Sequence, residues 1–375
     1  MIKKIAKGIA WFALLAGLYV VGVLVYGTFT DFEPPEQQDL IQTGTSKGEF
    51  GPTFKILTWN LGFTGLGEET DFFYDGGETV IQTKEIVKKN REGIRDFLSK
   101  HKDVDIMLLQ EIDSVAKRSY GVNHMGFLHE ELPEYAYSFA INYNVDFVPM
   151  PLFEPMGGVI SGIATFSKLP YVNPERIRFD SQFEWPRRVF FLDRCYLKMR
   201  VPMPNNHSLV VYNTHCSAYD TAGTMVQAEV KKMIEDAELE YLNGNYVIMG
   251  GDWNQCPPNY SPINPDSPYN ENLLTNGQIP HEWRWIADPT VPTNRKLTKK
   301  YVKGETYTTV IDHYMVSPNL EVIKAQGQDL NFKFSDHQPV LLEVRPIYDM
   351  APIDSLGQGP GTSPNTLKFI TPDLN

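Results

Sequence analysis

Cysteine is scarce: Cys195, Cys216 and Cys256 are the whole complement of 375 residues. An odd number cannot pair fully within one chain, and no CxxC spacing offers a zinc site. Dispersed as they are, the three read as small core residues, with one disulfide left open in an oxidising compartment. No block recurs at a fixed period, which argues against a solenoid or propeller. There is no GxxxxGK[ST] cradle, hence no sign of an NTP-driven motor, and no obvious serine or cysteine nucleophile. Positive charge is also short: 34 Lys and Arg stand against 46 Asp and Glu, a formal charge of −12. A non-catalytic nucleic-acid binder needs a basic footprint, so that class is disfavoured. A nuclease is not excluded, because metal ions supply positive charge locally. A basic, aromatic-interleaved stripe suited to a long nucleic-acid track is absent.

What is present begins with an uncharged run from Gly8 to Thr30, preceded by Lys3, Lys4 and Lys7. About 20 apolar residues match the bilayer core, and leading basic residues favour a cytoplasmic N-terminus. Residues 1–30 are therefore expected to form a single-pass membrane anchor, with the body on the non-cytoplasmic side. The rival is a cleaved signal peptide and a secreted body, but a signal core is usually only about 7–15 residues. Residues 31–52 read as a polar spacer, 53–346 as one body, and 347–375 as a Pro/Gly-rich tail.

The body alternates strand and helix signals. Strand-like runs cover 54–60, 104–109, 158–166, 209–212, 246–249, 313–316 and 339–344. A helix over 79–100 carries Val80, Val87, Ile94 and Leu98 at helical spacing, with Thr79 and Gln82 as a capping box. A second, over 221–243, carries Val226, Val230, Met233 and Ala237, and Gly244 ends it. Interleaved buried strands and amphipathic helices indicate an α/β or α+β layer protein. The Pro- and Asn-rich stretch 257–280 reads as a loop beside the site described next.

Asn60, Glu111, His215, Asp252 and Asn254 each sit at, or just past, the end of an apolar run. One such residue is usually a turn residue. Five in succession point to a crevice at one sheet edge, where strand ends gather distant side chains. Ile311-Asp312-His313 and Ser335-Asp336-His337 each precede another apolar strand. The set supplies carboxylates, amides and imidazoles. Oxygen donors suit a hard cation such as Mg²⁺ or Mn²⁺, and hydrolysis by activated water fits better than covalent catalysis.

The ordered segments Trp59-Asn60, Gln110-Glu111, Asn213-Thr214-His215, Gly251-Asp252-Trp253-Asn254, Ile311-Asp312-His313 and Ser335-Asp336-His337 resemble the endonuclease/exonuclease/phosphatase superfamily over about residues 54–345. Its members include deoxyribonuclease I-like nucleases, abasic-site endonucleases, inositol polyphosphate 5-phosphatases and neutral sphingomyelinases. The resemblance implies a four-layered α/β sandwich of two packed mixed β-sheets with the site at one edge. It places Asn60 and Glu111 at a metal, Glu111 as the direct ligand, with Asp336 near the metal or the water. Asp252 would orient or deprotonate the attacking water, and Asn254 would hold a phosphate oxygen and the nucleophile. His337 would contact the scissile phosphate with Asp312 fixing its ring, and His215 would contact the phosphate or help the leaving group.

The expected substrate is a phosphoester; anchor and acidic body tilt toward a lipid headgroup or small phosphoester, with nucleic acid kept as an alternative. From a different class, a membrane-tethered binding protein without catalysis is the competing reading. Secondary expectations concern single residues. Arg187-Arg188 is either a second anion site or a solvated basic pair. His313, Cys216 and Trp253 pack, and His124 and His129 lie at the surface. The run 147–153 is either core or a contact for a bilayer or acyl chain.

Overall fold

The computed structural model describes residues 2–218, 220, 223–258, 260 and 274–348. Helix α1 (Ile2–Phe29) comes first, followed by strands β1 (Gln37–Asp39) and β2 (Phe54–Asn60) and helix α2 (Lys84–Lys100). Next are β3 (Ile106–Ala116), α3 (His124–Glu131), β4 (Ala136–Val148), β5 (Gly157–Ser167), β6 (Val172–Arg178), β7 (Cys195–Pro202) and β8 (Ser208–His215). Helix α4 (Thr224–Leu242) leads to β9 (Tyr246–Asp252), β10 (Arg284–Ile286), β11 (Asn294–Arg295) and β12 (Thr308–Thr309). The last strands are β13 (Asp312–Val316), β14 (Leu320–Gly327) and β15 (Val340–Pro346).

Two mixed sheets result. One has the order β1-β6-β7-β8-β9-β13-β10, the other β14-β15-β2-β3-β5-β4, and β11 with β12 forms a small ribbon. Each sheet has one parallel pair at its centre, β2–β3 and β8–β9. Parallel neighbours need a crossover, and α2 and α4 supply it on the two outer faces. Between the sheets lie Ile56, Leu108 and Ile163 from one side and Leu197, Met199, Val211 and Ile248 from the other. The apolar stripe of α4 covers Tyr212, Val247 and Met249. Ile94 and Leu98 of α2, with Met125 and Leu128 of α3, cover Leu57, Trp59 and Met107. The architecture is the expected four-layered α/β sandwich of two packed mixed sheets.

Polar bridges fix the stacking of the sheets. Gln110 Nε2 donates to Asn213 Oδ1 at 2.8 Å and to Thr58 Oγ1 at 3.2 Å, while Asn213 Nδ2 donates to Ala164 O at 2.9 Å. Tyr314 Oη crosses in the same way to Val340 O at 2.8 Å. All of these groups are buried, so each amide must find its partner inside the sandwich.

Several local expectations are corrected. Helix α2 starts at Lys84, with Thr83 as its cap accepting from Ile86 N. Thr79 and Gln82 do not form a capping box; they bond Asp71 and Thr70 in the preceding loop. Val80 joins a separate apolar cluster with Tyr143 and Met156. His124 is buried rather than superficial, and desolvation pushes its imidazole down to about 4. Strand β3 continues through Glu111 to Ala116 instead of stopping at Leu109. The stretch 31–52 contributes β1 to the sheet through β6, and Thr43 bridges to Tyr137. Strands β4, β6, β7 and β14 carry too many polar residues to read as apolar runs. In α4, Gly244 at φ +84° follows the C-terminus as expected, while residues 221 and 222 of the expected helix lie outside the described residues. So do 259 and 261–273 of the loop and all of the tail beyond 348.

Gln110→Leu is expected to strand Asn213 Oδ1 in the core. A buried unsatisfied acceptor costs about 1–3 kcal/mol, a fall of several degrees in the melting temperature. The double change Gln110→Leu/Asn213→Leu is expected to be clearly less damaging than the sum of the singles. Thermal melts of the full chain in detergent, run as a double-mutant cycle, check this; additive losses would show that the amide pair is not the bridge.

Candidate active site

Strand register assembles half of the site. His215 at the end of β8 is paired with Asp252 at the end of β9, and Asp252 is paired with Asp312 at the start of β13. The three residues therefore stand side by side on one edge. Gly251 makes this possible: at φ +148°, a Cβ there would lie 2.0 Å from the Thr214 carbonyl oxygen. A side chain is excluded, so the strand can run close to its neighbour just before its polar terminus.

The second sheet supplies the rest. Asn60 ends β2, and Glu111 sits where the β3–β5 register slips between Leu109 and Ile112. The bulge turns Glu111 to φ +52°, re-aiming a side chain that a regular strand would direct elsewhere. Asn254, just past β9, is likewise at φ +51°. Left-handed backbone at a non-glycine residue is costly and concentrates at functional positions. Ser335 Oγ donates to Asn60 O at 2.8 Å, and Trp59 Nε1 donates to His337 O at 3.0 Å. These two bonds fasten the Ser335–His337 turn to the end of β2.

Within this frame the polar side chains interlock. Asn60 Nδ2 donates to Asp252 Oδ2 at 2.9 Å and to Glu111 Oε1 at 3.1 Å, and its Oδ1 accepts from Gly62 N at 2.9 Å. The backbone donor fixes which way the amide faces. Asp252 Oδ1 accepts from Asn254 N at 2.9 Å, and Asn254 Nδ2 donates to Cys216 O at 2.8 Å. His215 Nε2 lies 3.5 Å from Asp252 Oδ2 and 3.7 Å from Glu111 Oε1. Desolvation, reinforced by the Arg194 guanidinium, holds the His215 imidazole well below its usual range. The ring is neutral, and its proton belongs on Nε2, which faces two carboxylates.

His337 is the opposite case. Its Nδ1 bonds Asp312 Oδ2 at 2.8 Å, and its Nε2 lies 3.7 Å from Asp252 Oδ2 and 4.0 Å from Asp336 Oδ2. Burial alone would lower this imidazole, but Asp312, Asp252 and Asp336 outweigh it and hold the ring well above its usual value. The ring is thus an imidazolium at neutral pH. Asn294, whose amide lies 3.0 Å from Nε2, then faces the N–H with its carbonyl oxygen, because two donors cannot bond each other. Desolvation pushes Asp312 up to about 6 against the pull of His337. Desolvation likewise takes Asp336 to about 7; His337 opposes the rise and Glu111 adds to it.

Of the eight residues expected in the site, Glu111, His215, Asp252, Asn254, Asp336 and His337 line one cleft. Asn60 and Asp312 are fully buried behind it. Asp252, Asp312 and His337 form a buried cluster whose ligand atoms lie within 4.8 Å of one another. Sequence reasoning missed Arg118, Asn142, Asn294 and Arg194, which also line the cleft. Asn142 is in step with the polar Asn144 and Asp146 of β4 and did not stand out; the other three carried no local signal either. Arg118 is paired with Asp113 at 2.9 Å, and Arg194 Nη1 donates to His215 O at 3.2 Å. Arg187 and Arg188 do not line the cleft: Arg187 lies over Phe183, and Arg188 pairs with Asp31 and Glu33. His313 and Trp253 pack as expected, their rings stacked at 5.3 Å.

This geometry has counterparts. The sequence model of the endonuclease/exonuclease/phosphatase family matches residues 57–337. No curated protein matches the chain significantly. A solved endonuclease/exonuclease/phosphatase from Beutenbergia cavernae DSM 12333 superposes with TM-score 0.54 at 18% identity, covering 79% of this chain and 72% of that one. A family protein from Leptotrichia buccalis C-1013-b gives 0.52 at 14% identity, covering 78% and 99%. ANGEL2, described as a 2',3'-cyclic phosphatase, gives 0.50 at 14% identity, covering 83% and 99%. At such identities the structural likeness establishes the shared fold, and the sequence match spans most of the body. The chain belongs to the endonuclease/exonuclease/phosphatase family.

Proposed function

We propose that the chain is a divalent-metal-dependent phosphoester hydrolase, tethered to a membrane by α1. The observation that carries the reading is Asp252, held between neutral His215 and charged His337 and oriented by Asn60 and Asn254 N. A carboxylate so placed can take the proton of an attacking water. The imidazolium of His337 meets negative charge building on the phosphoryl oxygens, and buried Asp312 keeps it oriented and protonated. His215, neutral, offers an Nε2–H as a hydrogen-bond donor. Asn254 is fixed for a phosphoryl oxygen by its strained backbone and its bond to Cys216 O.

The donor set fits a hard cation. Glu111 and Asp336 are carboxylates that face the same cleft, and the charge of Glu111 adds to the raised proton affinity of Asp336, which is the environment a cation relieves. Asn60 presents hydrogens rather than its oxygen to the cleft, so its part is to position Glu111. In the buried cluster, Asp312 and His337 are already committed to each other by a 2.8 Å bond, which makes Glu111 and Asp336 the better holders. A bound Mg²⁺ or Mn²⁺ would supply Lewis-acid neutralisation of the phosphoryl group. The related ANGEL2, named as a cyclic phosphatase, supports phosphoester chemistry as the class. By length and composition α1 suits a span or a signal sequence: it is long, strongly apolar, and its most apolar stretch is not buried against the body. Its length favours retention.

Two outcomes test this reading. Asp252→Asn is nearly isosteric and is expected to lower turnover of bis-p-nitrophenyl phosphate by at least ~100-fold while the melting temperature stays close to wild type. His337→Ala is expected to lose both activity and stability, because it leaves Asp312 buried and unpaired at a cost of about 3 kcal/mol or more. Near-normal turnover in a folded Asp252→Asn protein would take the base role away from Asp252, and a folded wild-type chain with no turnover of any phosphoester would replace the enzyme reading by a tethered binding protein.

Metal dependence is checked separately. EDTA is expected to abolish activity and Mg²⁺ or Mn²⁺ to restore it. Glu111→Gln is expected to weaken Mn²⁺ binding, read directly by titration calorimetry, and to recover part of its turnover at high metal. Full activity in chelator would refute the proposal.

A further inference from the structure

Helix α1 does not end in solvent; its last turn is built into the body. Tyr26 Oη donates to Asp146 Oδ2 at 2.8 Å, near the end of β4. Trp185 Nε1 donates to Thr28 Oγ1 at 3.1 Å. Gly27 is buried, and a Cβ there would come 2.8 Å from the Phe190 ring. The absent side chain lets the helix lie directly against the 3-10 turn Arg187–Phe190. Arg188 then pairs with Asp31 and Glu33 just beyond the helix.

Around this junction lies a group of exposed apolar side chains. The tip after β4 shows Phe153 at 96% exposure, Leu152 at 58% and Met150 at 54%, and Trp185 is at 55%. Val148, in the same run, is buried, so the earlier ambiguity of 147–153 resolves residue by residue. Asp146 and Met150 are four residues apart, roughly 13 Å of extended chain. The tip thus hangs close to where the apolar helix leaves the body. Exposed apolar side chains, beside a Trp whose N–H is bonded to the foot of a spanning helix, match an interfacial belt.

We propose that Met150, Leu152, Phe153 and Trp185 form a face that docks onto the bilayer that α1 spans; the proposal rests on the reading of α1 as a retained anchor. The exposed acids Asp146 and Glu154 flank the tip, so the matching surface is a zwitterionic bilayer rather than an anionic one. The same junction reaches the cleft. Tyr143 Oη donates to Phe190 O at 3.1 Å. Tyr143, Phe191 and Leu192 all line the cleft, and Tyr74, also lining it, meets Phe191 with ring centroids 5.8 Å apart. A single 3-10 turn therefore separates the anchor from the active-site wall, and docking holds the cleft beside the lipid surface.

The test uses the full chain in phosphatidylcholine vesicles. The three native thiols are buried, so a polarity-sensitive nitrobenzoxadiazole label can be placed at Phe153→Cys or at Gln326→Cys. Gln326 is exposed on β14, at the opposite edge of the six-stranded sheet from β4. Expected is a blue-shifted emission at 153 that brominated phosphatidylcholine quenches, with neither effect at 326. A chain that survives carbonate extraction but shows a label at 153 as wet as at 326 would overturn the docking face alone. Release by carbonate would overturn the anchor and the face together. Turnover of bis-p-nitrophenyl phosphate by the same labelled protein reports the hydrolase reading independently of either.

Discussion

The amide of Gln110, reaching across the sandwich to Asn213, is the contact from which the working edge of this protein follows. Two sheets packed through aliphatic side chains alone could slide with little penalty, because the hydrophobic effect has no direction. A buried amide pair is directional and intolerant of a missing partner. It sets β3 against β8 within one residue of Glu111 on one strand and two of His215 on the other. The proposed chemistry needs Glu111 and Asp336 from one sheet beside His215, Asp252 and Asp312 from the other. The cleft is thus a seam, and its geometry is a property of sheet stacking more than of any loop.

Around the seam the chain accepts local cost. Glu111 and Asn254 hold left-handed backbone, Gly251 gives up its side chain, and four carboxylates share a small volume with two imidazoles. Opposite protonation of the two rings follows from their surroundings. Burial, helped by a guanidinium, keeps His215 neutral, whereas carboxylates on several sides of His337 overcome its burial, so one type of side chain supplies a neutral donor and a cation within the same cleft. Left-handed backbone also occurs elsewhere, at Asn173 of β6 for one, but at this edge it coincides with a crowd of buried charge, which is the pattern expected of a working site.

Much of this was legible in the sequence because β2, β3, β8 and β9 are covered on both faces. Such strands read as unbroken apolar runs, and a polar residue at the end of one stands out. The six ordered motifs carried the fold, and the structure gathers their side chains at one edge. Less legible were elements half open to solvent. Strand β4 bears Asn142, Asn144 and Asp146, residues poor in strand propensity, and so its run did not declare itself. The start of α2 was misplaced because Thr79 and Gln82 satisfy a capping pattern that loop residues Asp71 and Thr70 outcompete. Arg118, Arg194 and Asn294 have no local signature at all; what makes them part of the cleft is tertiary proximity.

The walled-in thiols have a consequence of their own. Burial raises the thiols of Cys195 and Cys216 above their ordinary range, and the thiolate is the species that oxidises or exchanges. All three cysteines are buried, and none is in a disulfide. The fold therefore asks nothing of an oxidative folding pathway and offers little to one: it would be redox-silent on either side of a membrane, and its maturation would not depend on which thiol chemistry prevails where the body folds.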